Sequence, residues 1–154
     1  MLKNDIAEFD ALMKHQPNIV NSLRDTRGRT LLMDGAINGH TQLVSLLSKR
    51  NHDLSVGDDH GWNAFHWIVW KDDDVSFELL NSLDATQISD VINREDKYSQ
   101  TALHIAACWN KRKSIIWLIE HGADPSVKNN RGELPDETDH CDDETRRFIQ
   151  SLRK

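Results

Sequence analysis

Four short turn signatures recur along this chain, and their spacing constrains the fold more than any other feature. Asp25-Thr26-Arg27-Gly28, Asp58-Asp59-His60-Gly61, Asp96-Lys97-Tyr98-Ser99 and Asn129-Asn130-Arg131-Gly132 align position by position. Gly28 to Gly61 is 33 residues, Gly61 to Ser99 is 38, and Ser99 to Gly132 is 33. Self-similarity at that period marks stacked units, none of which can bury its apolar face alone. Each unit follows one plan: a turn, a short helix of small residues, a second helix, a loop. The clearest copy runs Thr101-Ala102-Leu103-His104-Ile105-Ala106-Ala107, then Ser114-Ile115-Ile116-Trp117-Leu118-Ile119, then His121-Gly122-Ala123-Asp124-Pro125. A threonine before a helix can cap its free N–H groups. Ala106 and Ala107 let neighbouring helices approach closely, and Gly122 suits a helix C-terminus.

This third copy resembles the ankyrin repeat. Its Thr-Ala-Leu-His-Ile-Ala-Ala stands where that family has Thr-Pro-Leu-His-x-Ala-Ala, and Gly122-Ala123-Asp124 stands at the family's closing Gly-Ala-Asp. The family period is about 33 residues. The resemblance covers Asp25 to Lys154, and more weakly the N-terminus. It implies an all-α solenoid of about four helix-turn-helix repeats. The implied divisions are an N-terminal cap over 1–24, repeats over 25–57, 58–95 and 96–128, and a capping repeat over 129–154.

The other copies depart from the pattern in readable ways. The first keeps Gly28, Thr30 and a Gly39-His40 turn between its helices, with Leu43, Val44, Leu46 and Leu47 as second-helix core. It closes on Asn51-His52-Asp53. The second has Asn63 for the capping threonine, and Trp67, Ile68 and Val69 for small residues. Its Asp72-Asp73-Asp74 replaces Gly-His and is placed to cap a helix over Val75 to Leu83. The five extra residues fall near 84–92, where Ile88, Val91 and Ile92 are spaced for an added helical turn. Ile6, Phe9, Leu12 and Met13 predict an amphipathic capping helix that ends before Pro17. At the other end, Asp142-Asp143-Glu144 opens a final helix carrying Phe148, Ile149 and Leu152, the acids suiting its N-terminus.

Composition narrows the function classes. Lys and Arg total 19 against 25 Asp and Glu, a formal charge of −6. That disfavours generic duplex binding, and no nucleic-acid partner is expected. No apolar run approaches the ~18 residues of a membrane helix, and the early acids exclude a secretory signal core. Cys108 and Cys141 do not make a disulfide framework, so a reducing cytoplasm is the default. A protein exported by a dedicated secretion system would read the same. No Cys-x-x-Cys, His-Glu-x-x-His, phosphate-cradling glycine loop or Gly-x-Ser-x-Gly elbow is present, so no metal, cofactor or catalytic residue is assigned. Through the resemblance, His66 and His104 occupy the family's structural position, bonding neighbouring turn backbone, and His40 a scaffold position between helices.

Five Trp stand beside four Phe and one Tyr. The resemblance locates a partner-binding surface on the concave side: the turn tips and the exposed face of each inner helix. It thereby marks Thr26, Arg27, Arg29, Ile37 and Asn38 in the first copy, and Asp59, His60, Trp62, Trp70 and Lys71 in the second. In the third it marks Lys97, Tyr98, Gln100, Cys108 and Trp109, and in the fourth Asn130, Arg131, Glu133, Cys141 and Asp142. Trp62, Trp70, Tyr98 and Trp109 are expected to cluster and be exposed, with Arg27, Arg29, His60, Lys71, Lys97 and Arg131 around them. Aromatic residues and arginine are the types enriched at binding hot spots. Trp117 is assigned to the core, and Trp67 also, at a half-buried position. The reading is a monomeric, non-catalytic protein-binding module whose aromatic and basic patch takes an apolar side chain flanked by acids. Adaptor, inhibitor and secreted effector stay open within that class. The alternatives are a small-molecule or enzymatic site in a Trp62/Trp70/Trp109 groove with His60 or Cys108, and a self-associating array.

Overall fold

The computed structural model describes residues 22–48, 53–83 and 85–153, together with 11, 14 and 15. The expected N-terminal helix, with Ile6, Phe9, Leu12 and Met13, lies outside the described residues, as do Asn51 and His52. The described chain is helical, without strands. Its elements are α1 (Leu31–Asn38), α2 (Thr41–Ser48), α3 (Ala64–Lys71), α4 (Asp74–Ser82), α5 (Ala85–Val91), α6 (Ala102–Cys108), α7 (Arg112–Glu120), a 3₁₀ turn (Pro135–Glu137) and α8 (Asp143–Leu152). Inner helices α1, α3 and α6 stack in sequence, the 3₁₀ turn takes the fourth inner place, and α2 packs on α4. This is a helical solenoid of stacked helix-turn-helix units, the architecture that the resemblance implies. No described helix is long and apolar enough to cross a membrane.

The turns repeat to atomic detail. Asp25, Asp58, Asp96 and Asn129 each accept two backbone N–H groups through Oδ1, from the residues two and four positions on, at 2.8–3.0 Å. Single backbone bonds then join neighbouring turns: Asp59 N to Arg27 O (3.1 Å), Lys97 N to His60 O (3.1 Å) and Asn130 N to Tyr98 O (3.0 Å). The turn needs a left-handed residue, which is Gly28, Gly61 and Gly132 in three copies and Ser99, at φ 56°, in the third. A serine there carries a backbone penalty that glycine does not. Ser99→Gly is therefore expected to stabilise the chain by about 0.5–1 kcal/mol, read as a rise in the urea midpoint at unchanged slope.

Helix starts are capped as the residues suggest. Thr30 Oγ1 accepts Met33 N, Asn63 Oδ1 accepts His66 N, Asp73 Oδ1 accepts Ser76 N, and Asp142 Oδ1 accepts Thr145 N. The second-unit helix begins at Asp74, one residue before the expected Val75, because Asp73 supplies the cap. Thr101 instead bonds His104, its Oγ1 lying 3.0 Å from Nδ1. His66 and His104 are fully buried, and their Nε2 atoms reach Gln100 O (3.4 Å) and Glu133 O (3.3 Å) in the following turn. The structural role implied for both is thus present, while His40 is exposed.

The extra residues form α5, and Ile88, Val91 and Ile92 are all buried in the shared core. The helix-to-helix turns hold their own left-handed residues: Gly39, Asp72 and Asn110. The latter two also reach into the next unit. Asp72 Oδ1 accepts Ser114 N at 2.9 Å, and Asn110 Oδ1 accepts Asp142 N at 2.9 Å.

Burial fixes the protonation of the two inner histidines. Desolvation holds both below their ordinary value of 6.5, despite nearby carboxylates and the carbonyl contacts that favour the charged form. The unfolded chain therefore binds protons that the folded chain refuses. Stability is complete above pH 6.5 and declines as pH falls from there toward the folded-state values. Each histidine contributes at most about 1.4 kcal/mol per pH unit. Denaturation midpoints at pH 7.5 and 5.5 check this. His104→Gln, which cannot charge, is expected to flatten the pH dependence, and an unchanged slope would refute the assignment.

Candidate functional site

The indoles assemble as a row. Trp62 follows Gly61 at a turn tip, Trp67 and Trp70 lie on α3, and Trp109 ends α6. Trp62 meets Trp67 at 4.9 Å between centroids and 63°. Trp67 meets Trp70 at 5.8 Å and 85°, and Trp70 meets Trp109 at 6.2 Å and 90°. Edge-to-face contacts of this kind contribute about 0.5–1.5 kcal/mol each beyond their buried area. The expected clustering of Trp62, Trp70 and Trp109 is therefore present, and Trp67 is the link that joins them. It packs against the core and meets its neighbours edge-on, so it belongs to both core and row.

Exposure is less uniform than expected. Trp109 is 56% exposed, but Trp62, Trp67 and Trp70 are half-buried. Trp62 is held down by a bond across to the next unit, its Nε1 donating to Asp96 Oδ2 at 3.0 Å. Trp67 Nε1 donates to Asp58 Oδ2 at 3.1 Å. Tyr98 is 52% exposed at its turn tip and, among the described residues, makes no ring contact with the row. Trp117 is buried as assigned, stacked on His121 at 3.8 Å and 5.9 Å from Phe65, with Nε1 donating to Asn81 Oδ1.

Half of the expected basic surround is paired with this chain's own groups. Arg29 binds Asp25 through Nε (2.7 Å), and this pairing holds the exposed Asp25 carboxyl down at about 2. Lys71 Nζ donates to Ile37 O at 2.7 Å and lies 3.3 Å from Asp73, bracing the end of α3 on the end of α1. Arg131 pairs with Glu133 (3.0 Å) and Asp139 (3.1 Å). Arg27, His60 and Lys97 remain exposed at turn tips, and Arg27 and Lys97 form no ion pair among the described residues. The patch is thus aromatic with a border that is neutralised at Arg29, Lys71 and Arg131 and cationic at Arg27 and Lys97.

Cys108 is half-buried and Cys141 buried, and burial pushes both thiols above the ordinary range. That is the opposite of an activated nucleophile. A groove of about 460 Å³ lies elsewhere, on the outer helices, lined by Thr41, Leu46, Glu78 and Leu79 among others, and includes none of the row.

A family model described as ankyrin repeat matches residues 98–130. The chain is also similar to mitochondrial disaggregase from Bos taurus, 25% identical over 142 residues, which covers 86% of this chain and 19% of that protein. Ankyrin repeat and SOCS box protein 3 from Homo sapiens is 26% identical over 89 residues, covering 58% of this chain and 17% of that protein. The chain spans less than a fifth of the length of these relatives.

Proposed function

Because the chain is an ankyrin-repeat solenoid, and such repeats are generally protein-interaction modules, we propose that it is a non-catalytic recognition module. It binds a protein partner through the turn-tip and inner-helix face. The observation that carries this reading is the continuous indole row across two adjacent repeats, which opens to solvent at Trp109. A free monomer gains nothing by holding a large indole in water, whereas an interface uses such a ring as an anchor. Arg27, His60, Lys97 and Tyr98 line the turn tips beside the row, and their carbonyls or N–H groups form the ladder that fixes them. The raised thiol of Cys108 and the full engagement of His66 and His104 count against a catalytic use of the same face. The disaggregase likeness covers 19% of that protein and brings no activity here.

The test uses Tyr98→Ala with Trp109→Ala, since both side chains are more than half exposed and neither belongs to the buried core. Trp62 is a poorer choice, because its bond to Asp96 ties two repeats. The double variant is expected to stay folded, losing no more than the about 0.5–1.5 kcal/mol of the Trp70–Trp109 contact, and to lose at least tenfold affinity for a partner captured by the wild type. If it folds and holds that partner at unchanged affinity, the reading fails.

A further inference from the structure

The four residues that open the repeat turns are equivalent in backbone bonding and unequal in charge. Asp25, Asp58, Asp96 and Asn129 all use Oδ1 for the turn. The remaining side-chain atom differs. Asp25 Oδ2 takes the Arg29 guanidinium, which cancels its charge. Asn129 is neutral, and its Nδ2 donates to Glu133 Oε2 at 2.8 Å. Only the two central carboxylates turn to tryptophan, Asp96 to Trp62 and Asp58 to Trp67.

These two carboxylates are 8% and 7% exposed, and each accepts three N–H bonds, the bonding of an ionised carboxylate. Neither has a cation partner among the described residues. His66 senses both charges yet is kept neutral by its burial. Charge that is buried and uncompensated acts over a longer reach than charge in water. A carboxylate on an indole N–H also pushes electron density onto the ring, and so deepens the negative potential on the ring face. Lys71 and Arg131 are paired within the chain, and Arg27 and Lys97 stand exposed at the turn tips beside the row. The two buried carboxylates set negative charge directly against the indoles of Trp62 and Trp67.

We propose that the indole row receives a cationic side chain of the protein partner, an arginine guanidinium laid on the indole faces with Asp58 and Asp96 as buried counter-charge. The guanidinium is favoured over an ammonium because it is planar, stacks on aromatic faces and is more weakly hydrated. This rests on the reading of the turn-tip face as the binding surface. It replaces the acid-flanked apolar side chain expected from the sequence with a residue of opposite charge.

The experiment titrates the intact chain with a short Gly/Ser peptide carrying three arginines. Two matched peptides carry citrulline or leucine in their place. Binding is followed through the five indole N–H resonances. The arginine peptide is expected to bind about tenfold tighter than the citrulline peptide, which keeps shape and loses charge. Incorporation of fluorinated tryptophan, which drains the ring faces, is expected to weaken it stepwise with the fold intact. Asp58→Asn and Asp96→Asn are expected to cut the arginine preference to below about threefold, and Asn129 shows that asparagine can make this turn. Equal binding of arginine and citrulline, or tighter binding of leucine at the same indoles, overturns the cation while leaving the surface in place. Arginine binding with no indole shift overturns the cation and the surface together. No binding of the arginine peptide at millimolar concentration overturns the cation alone.

Discussion

Replacing Asp136 by alanine is expected to cost about 3 kcal/mol and to release the C-terminal end of the solenoid first. Asp136 is fully buried. Its Oδ2 accepts Gln150 Nε2 at 3.0 Å, its Oδ1 pairs with Arg153, and its backbone oxygen accepts Arg146 Nε at 3.0 Å. Two residues of α8 and the arginine that follows it are therefore tied to the 3₁₀ turn that stands in for the last inner helix. Removing the carboxylate leaves the Arg153 head without its counter-charge. The estimate sits at the low end of the range for breaking a buried pair, because Arg153 follows the last turn of α8 and can swing into water. Urea denaturation gives the total. Hydrogen exchange should show α8 losing protection while α3 keeps it. The double replacement Asp136→Leu with Arg153→Met is expected to recover most of the loss, since an apolar pair of similar volume removes the stranded charge. A midpoint shift worth under about 1 kcal/mol for Asp136→Ala would refute the lock.

Phe65→Ala is expected to be the larger disruption, about 3–5 kcal/mol, and to change the shape of the unfolding transition. Phe65 has no exposed surface, and its ring meets Trp117 across the boundary between the second and third repeats. It lies on α3, the inner helix that packs on both α1 and α6. A solenoid has only nearest-neighbour interfaces, so weakening one in the middle uncouples the two sides. Far-ultraviolet circular dichroism and tryptophan fluorescence should then cease to coincide. Phe65→Leu, which keeps most of the volume, is expected to cost under about 1.5 kcal/mol and to leave the transition single. A single transition in the alanine variant would show that the coupling passes elsewhere.

What sequence reading could reach here follows from the range of each interaction. Turn positions, helix caps at Thr30, Asn63, Asp73 and Asp142, and the inserted helix with Ile88, Val91 and Ile92 all depend on contacts a few residues apart. They were legible for that reason. The indole cluster was legible only in part, since repeat phase places Trp62, Trp70 and Trp109 on one face without saying how deeply they sit. Repeat phase assigns Trp67 to the core at a position that is often half-buried; its edge contacts at 4.9 and 5.8 Å depend on side-chain direction. The partners of the indole N–H groups were out of reach. Asp96 lies 34 residues from Trp62, and in the sequence it reads only as a turn former. The same holds for Lys71, which reads as an open cation until Ile37 O is seen beneath it.

The inserted helix α5 gives the chain a practical property. Its residues enter between Leu83 and the turn at Asp96, yet the bond from Lys97 N to His60 O is 3.1 Å, matching the junction without an insertion. The added length leaves the ladder of joined turns unbroken. Thr86, Ser89 and Asp90 on α5 are exposed, while Ile88 and Val91 anchor it. A dye, epitope or immobilisation tag grafted at Ser89 would thus sit on an exposed helix face anchored in the core by Ile88 and Val91. The insertion gives the chain a natural attachment port.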